Sequence, residues 1–273
     1  MRENRINYEN YKNHKEMYGH VSTWALWNEA ILDVKQRELD KDYAIRKELF
    51  IANSEEEYKE KGLNQLLHGD VVVLALNFSC PKEPKSNPNA LISLLNKYKE
   101  SEYNRKRYDE LLKLTKEDER FVFCNMYVPA GRRYAPEFMK SDLLHGAYMT
   151  DFIKFVDDDG DKLPAGIPDS NSGANIITEC LSKDKIGLQA EGLKEEFDLL
   201  GIKPKVIICV SARLNNESVR QAITDALGYR PQFEQLHHYT PGGSSYRNRG
   251  YESYEEMYAG EIRQALENIE AKV

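Results

Sequence analysis

Apolar residues in this chain fall into short continuous runs, separated by longer stretches with a helical period. The clearest run is Asp70-Val71-Val72-Val73-Leu74-Ala75-Leu76. Continuous β-branched and apolar residues, without alternation, predict a strand covered on both faces, as in a parallel sheet. The run closes on Asn77-Phe78-Ser79-Cys80-Pro81, and a loop rich in Lys, Pro and Asn extends to residue 89. An amphipathic helical region is expected over 90–114 and a second apolar run at Arg120-Phe121-Val122-Phe123-Cys124. A further strand is expected in the first half of Gly146–Lys154.

The last third reads more simply. A helix over Gly187–Leu200 is closed by Gly201 in the C′ position, where a left-handed backbone suits glycine. Pro204–Val210 is a buried strand, Glu217–Leu227 a helix ended by Gly228, and Gln232–His238 another strand. A Gly/Ser-rich loop then leads to a helix over 253–271. Strands alternating with helices imply right-handed crossovers around a parallel sheet. The expected fold is a three-layer α/β/α domain over 66–273 with a central, mainly parallel four-stranded sheet.

Residues 1–65 are polar and read as a helical arm, with an apolar island at Val21-Ser22-Thr23-Trp24-Ala25-Leu26-Trp27. The two tryptophans are expected to pack this arm onto the main body, because large aromatics bury the most surface.

Composition adds few constraints. Hydrophobic residues make up 41% and charged ones 30%, which places the chain among ordinary folded proteins. No apolar run reaches the ~20 residues of a membrane span, and the polar start carries no leader pattern. A cytoplasmic location without membrane association is the expectation. The four cysteines, Cys80, Cys124, Cys180 and Cys209, are far apart and form no CxxC pair, a spacing that suits neither structural zinc nor an iron–sulfur cluster. Cys124 and Cys209 sit in apolar runs and read as small core hydrophobes. A net charge of −7 argues against tight, non-specific DNA binding, although a local basic patch escapes that argument. Asp157-Asp158-Asp159-Gly160-Asp161 invites a calcium reading, but an EF-hand loop with Gly160 sixth would start at Phe155 and end at Gly166. Its first and last ligands are missing, so a solvated acidic turn is expected.

In open parallel sheets ligands bind beyond the carboxyl ends of the strands. Three such ends carry polar residues: Asn77, Asp151 and His238. Around them the chain resembles the uracil-DNA glycosylase superfamily. Ala75-Leu76-Asn77-Phe78-Ser79 is similar to the Gly-x-Asn-Pro-Gly form of the mismatch-specific branch. His238-Tyr239-Thr240-Pro241-Gly242 is similar to the late His-Pro-Ser-Pro motif, and the residues from Ser244 through Arg249 to Tyr251 look like the loop leading into the last helix. Ala147–Lys154 stands where the family has the strand whose terminal Asn reads the base. The resemblance implies a DNA N-glycosylase acting on DNA or a related nucleoside or nucleobase, with no cofactor and no metal. Asn77 would position water and His238 would stabilise the departing base. Phe78, Asp151, Thr240, Ser244 and Arg249 would contact the substrate.

The departures from the pattern carry chemical consequences. Phe78 and Tyr239 replace prolines, Ala75 replaces a glycine, and Asp151 replaces the base-reading Asn. An amide offers one donor and one acceptor, matching the N3–H and O4 of uracil, whereas an ionised carboxylate only accepts. Asp151 therefore favours an edge with two donors, such as N1–H and N2–H₂ of guanine. Simpler roles stand beside these. Asn77 is a turn former, Asp151 a helix N-cap, Phe78 a packing residue, and the Arg132-Arg133 and Arg247/Arg249 pairs surface charge. Adjacent strand residues point to opposite faces, so His237 and His238 cannot readily share a metal. A non-catalytic relative that binds a nucleobase, a nucleotide or a protein partner is the alternative function.

Overall fold

The computed structural model describes residues 4–18, 22–26, 52–76, 79–80, 137–153, 167–168, 171–238 and 246–270. Its centre is β2 (His68–Ala75), eight residues all buried, as the unbroken apolar run requires. Parallel to it on one side lies β4 (Ala147–Asp151), and on the other β6 (Val206–Cys209) followed by β7 (Gln232–Gln235). A two-residue strand, β1 (Thr23–Trp24), adds antiparallel to the outer edge of β4, giving the order β1-β4-β2-β6-β7. Two further short strands, β3 (Ser79–Cys80) and β5 (Ile167–Pro168), form a separate parallel pair.

The helices sort onto two faces by the alternation of side chains along a strand. Phe233 of β7 lies beneath the guanidinium groups of Arg220 and Arg230, and Asn215 bonds Gln235, so these odd positions face α6 (Glu217–Leu227). The alternate residues Gln232 and Glu234 bond Asn268 of α7 (Tyr254–Glu270) on the other face. α5 (Ile186–Leu200) packs beside α6, and α1 (Tyr8–Met17) packs on α5, where Asn10 donates to the Leu200 carbonyl at 2.8 Å. The result is a three-layer α/β/α sandwich. Other described helices are α2 (Glu55–Glu60), α3 (Leu63–Leu66) and α4 (Asn171–Cys180), and residues 137–140 are also helical.

Residues 23–24 depart from the helical reading of the arm. Backbone pairing overrides local pattern here: Ala25 N–H donates to the Ala147 carbonyl at 2.7 Å, and Gly146 N–H to that of Ala25 at 3.0 Å. Trp24 is buried against Tyr148 and His14, as expected of a tryptophan in the arm. Gly146 links β1, α3 and β2. Its φ is +81°, and a Cβ there would stand 2.1 Å from the Leu66 carbonyl oxygen. Gly201 and Gly228 close α5 and α6 in the left-handed conformation anticipated for both. The 90–114 helix, the 120–124 run, Arg132-Arg133 and the 157–161 acidic segment lie outside the described residues.

Tyr11, Tyr58 and Tyr148 are sealed in the core and Tyr229 is half-buried, and together they set an alkaline limit on the fold. Burial pushes Tyr11 and Tyr229 up to about 12 from the usual 10.0, and holds Tyr58 and Tyr148 well above their ordinary range. In the unfolded chain these groups ionise near pH 10 while the folded protein keeps them neutral, so the unfolded state binds fewer protons there and stability falls as pH rises. Thermal midpoints should be flat with respect to these groups below pH 10 and fall steeply between pH 10 and 12. A midpoint that holds constant to pH 12 would contradict the burial of these rings.

Candidate functional site

The four parallel strands end on one edge of the sheet. In the ladder Ala75 stands opposite Asp151, and Leu74 opposite both Thr150 and Cys209. The chain continues past each end in step: Phe152 N–H bonds the Ala75 carbonyl, Val210 N–H that of Leu74 and Leu236 N–H that of Cys209. The next sheet strand after β2 lies to one side and the next after β6 to the other. This reversal marks the crevice between the ends of β2 and β6 as the expected ligand position.

Asp151 is 3% exposed. Tyr148 and Thr150 face α5, so Asp151, with Met149, faces the side of the sheet that carries α7. His238, beyond the end of β7, has an exposed side chain, and its carbonyl accepts from the Tyr258 hydroxyl at 2.7 Å. Both lie at the carboxyl edge, but three strand spacings separate β4 from β7, about 14 Å. The structure therefore brings Asp151 and His238 to one edge without making them neighbours. Asn77, Phe78, Thr240 and Ser244 lie outside the described residues.

The strand expected over 232–238 stops at Gln235 because α7 takes over the backbone beyond it. Glu261 accepts from the His237 N–H at 2.7 Å and holds His237 Nδ1 at 2.7 Å through its other carboxylate oxygen. Arg249, a candidate contact from the sequence, is exposed and reaches the same carboxylate at 3.3 Å. His237 is thus a histidine with a carboxylate partner. Glu261 was legible only as an acid bordering the buried α7 stripe of Met257, Tyr258, Ile262 and Ala265.

The same edge carries exposed cations. Arg213 lies in the turn after β6, and Arg247 and Arg249 form the 3-10 turn before α7. Arg247 stacks on Tyr246, whose ring meets Tyr254 edge-on. Cations interleaved with aromatics suit phosphates and unstacked bases.

Sequence reading also missed a buried polar cluster behind β4. Glu196 of α5 is fully buried. It accepts from the Tyr148 hydroxyl and from Thr150 Oγ1, at 2.9 and 3.2 Å to its two oxygens. His14 Nε2 is 2.6 Å from Tyr148 Oη and 2.8 Å from Ser22 Oγ, whose own proton goes to the Tyr18 carbonyl. Both oxygens spend their hydrogens elsewhere, so His14 Nε2 carries the proton they accept. Burial and the adjacent carboxylate hold the Tyr148 phenol well above its ordinary range. The available signal was an acid at position 196 on the face defined by Gln189, Leu193 and Leu200.

Cys209 is a buried thiol pushed up to about 12, hence neutral and unreactive, as its apolar run suggested. Among the described residues no cluster of three or more His, Cys, Asp or Glu is arranged to hold a metal, and no helix is long and apolar enough to cross a membrane. Fold and edge together define an α/β/α protein with a candidate ligand crevice at the carboxyl ends of its strands. Comparison with family models, curated proteins and solved structures gives no match.

Proposed function

We propose that this protein is a DNA glycosylase-like hydrolase that cleaves the N-glycosidic bond of a damaged or mismatched base. The observation that carries the reading is the buried carboxylate of Asp151 at the end of a parallel strand, opposite Ala75, which precedes Asn77 by two positions in the sequence. That is the position at which the resemblance expects a base-reading group. Cleavage adds water at C1′, and the base leaves with the bonding electrons, so positive character builds on the sugar and negative charge on the base. Asn77 orients the water, and His238 donates to the charge developing on the base. Asp151 selects a base edge with two donors. The base leaves its stack to enter, with Phe78 as the stacking platform, while Thr240, Ser244, Arg249 and the exposed Arg213 and Arg247 hold the flanking strand. No cofactor enters this chemistry.

The alternative, a non-catalytic binder of a nucleobase, nucleotide or protein partner, is favoured by the motif departures and the −7 charge. Single- and double-stranded oligonucleotides carrying uracil, hypoxanthine, xanthine or a mismatched base separate the two when alkali-labile breaks are scored. Breaks at one of these bases support the hydrolase. Binding without breaks supports the alternative, and neither binding nor breaks removes both.

A further inference from the structure

We infer that Glu196 is a positioning residue that fixes the end of β4, and with it Asp151, from behind the sheet; its value for recognition rests on the base-reading role of Asp151. The described part of β1 pairs only with Tyr148 and Met149, so it stops short of Thr150 and Asp151. Those last two residues are held on the inner side by the β2 ladder, continued by Phe152 N–H to the Ala75 carbonyl at 2.8 Å and Ile153 N–H to the Leu76 carbonyl at 2.9 Å. Thr150 is also held from behind the sheet by Glu196. One fully buried carboxylate accepts from the Tyr148 hydroxyl and sets both of its oxygens against the single Thr150 hydroxyl, two residues that alternate on one face of the strand. Thr150 immediately precedes Asp151, so a shift of its peptide would turn the Asp151 Cα–Cβ direction on the opposite face.

The carboxylate is itself tied to the arm. His14 Nε2 lies 3.8 Å from Glu196 Oε1 and bonds Tyr148, while Trp24 and Tyr18 close the cluster beside it. α1, β4 and α5 therefore meet at this one carboxylate. Burial of a carboxylate is costly, and an apolar residue of similar volume would often stabilise as well. What the carboxylate supplies beyond packing is a fixed pair of acceptors for two β4 hydroxyls.

Amide hydrogen exchange on the full chain tests this, with Glu196→Gln keeping the shape and removing the charge. Thr150→Val, which removes one hydroxyl and keeps the β-branched outline, serves as a second variant should the first fail to fold. Exchange at Phe152 and Ile153 should accelerate about tenfold in either variant, while Val210 and Leu236, just beyond the ends of β6 and β7, keep their parental rates. Guanosine titration should show affinity weakened about fivefold without loss of the thermal midpoint. Parental exchange at Phe152 and Ile153 in both variants would overturn the proposal, as would uniform acceleration across all four amides. If the parent binds no guanosine, the base-reading role of Asp151 fails, and the exchange rates alone still decide whether Glu196 fixes the strand.

Discussion

Alanine at His238 should lower the rate of base release by about 10²- to 10³-fold, the usual loss when a single donor to a developing oxyanion is removed. The fold should barely register the change. The His238 side chain is exposed, and a backbone contact that anchors this segment, the Tyr258 hydroxyl on the His238 carbonyl, survives any side-chain replacement. His237→Ala should behave in the opposite way. It strips a partner from Glu261, a side chain only 12% exposed, and should cost about 1–3 kcal/mol of stability with a smaller kinetic effect. Single-turnover cleavage and thermal melts on the two variants read this contrast. If His237→Ala is the slow, stable variant, the two neighbouring histidines exchange roles.

The second large effect concerns the fold. Gly146→Ala should destabilise the protein by about 3 kcal/mol or more, because it combines a left-handed residue with a backbone collision. The added Cβ would approach the Leu66 carbonyl oxygen to 2.1 Å, and that carbonyl belongs to main chain that cannot step aside alone. Gly146 also donates to Ala25 and accepts from His68, so moving it disturbs β1 and β2 together. Gly228→Ala is the control. Its φ is +71°, but nothing lies within 4 Å of the added Cβ, so only the conformational cost of about 1 kcal/mol remains. On a domain of this size each kcal/mol moves the thermal midpoint roughly 2–4 °C. Equal midpoints for the two variants would mean that the Leu66 contact relaxes freely.

These features differ in how far the sequence discloses them. β2, β6, α5, α6 and α7 were readable because their signals are local: unbroken β-branched runs, a helical period, and glycines at C′. Thr23–Trp24 was not readable as a strand, since its pairing with Met149 and Tyr148 is made by residues more than a hundred positions away. The early end of β7 depends likewise on a carboxylate from α7. Asp151 and His238 stood out as polar residues at strand ends, where the sheet makes position informative. Glu196 and Glu261 gave a fainter signal, an acid on or beside an apolar helical stripe, and nothing local identifies the groups they bind. The arm also proves more than a covering layer, because β1 belongs to the same sheet as the candidate site.

The choice of base at Asp151 follows from a single contrast, two acceptors against one acceptor and one donor. Calorimetric titration of the parent and of Asp151→Asn with guanosine and uridine reads it directly. The parent should bind guanosine more tightly than uridine, and the amide should reverse that order, with a change in the ratio of about a hundredfold for two altered charge-assisted bonds. Unchanged preference in the variant, or a parent that favours uridine, would contradict the account.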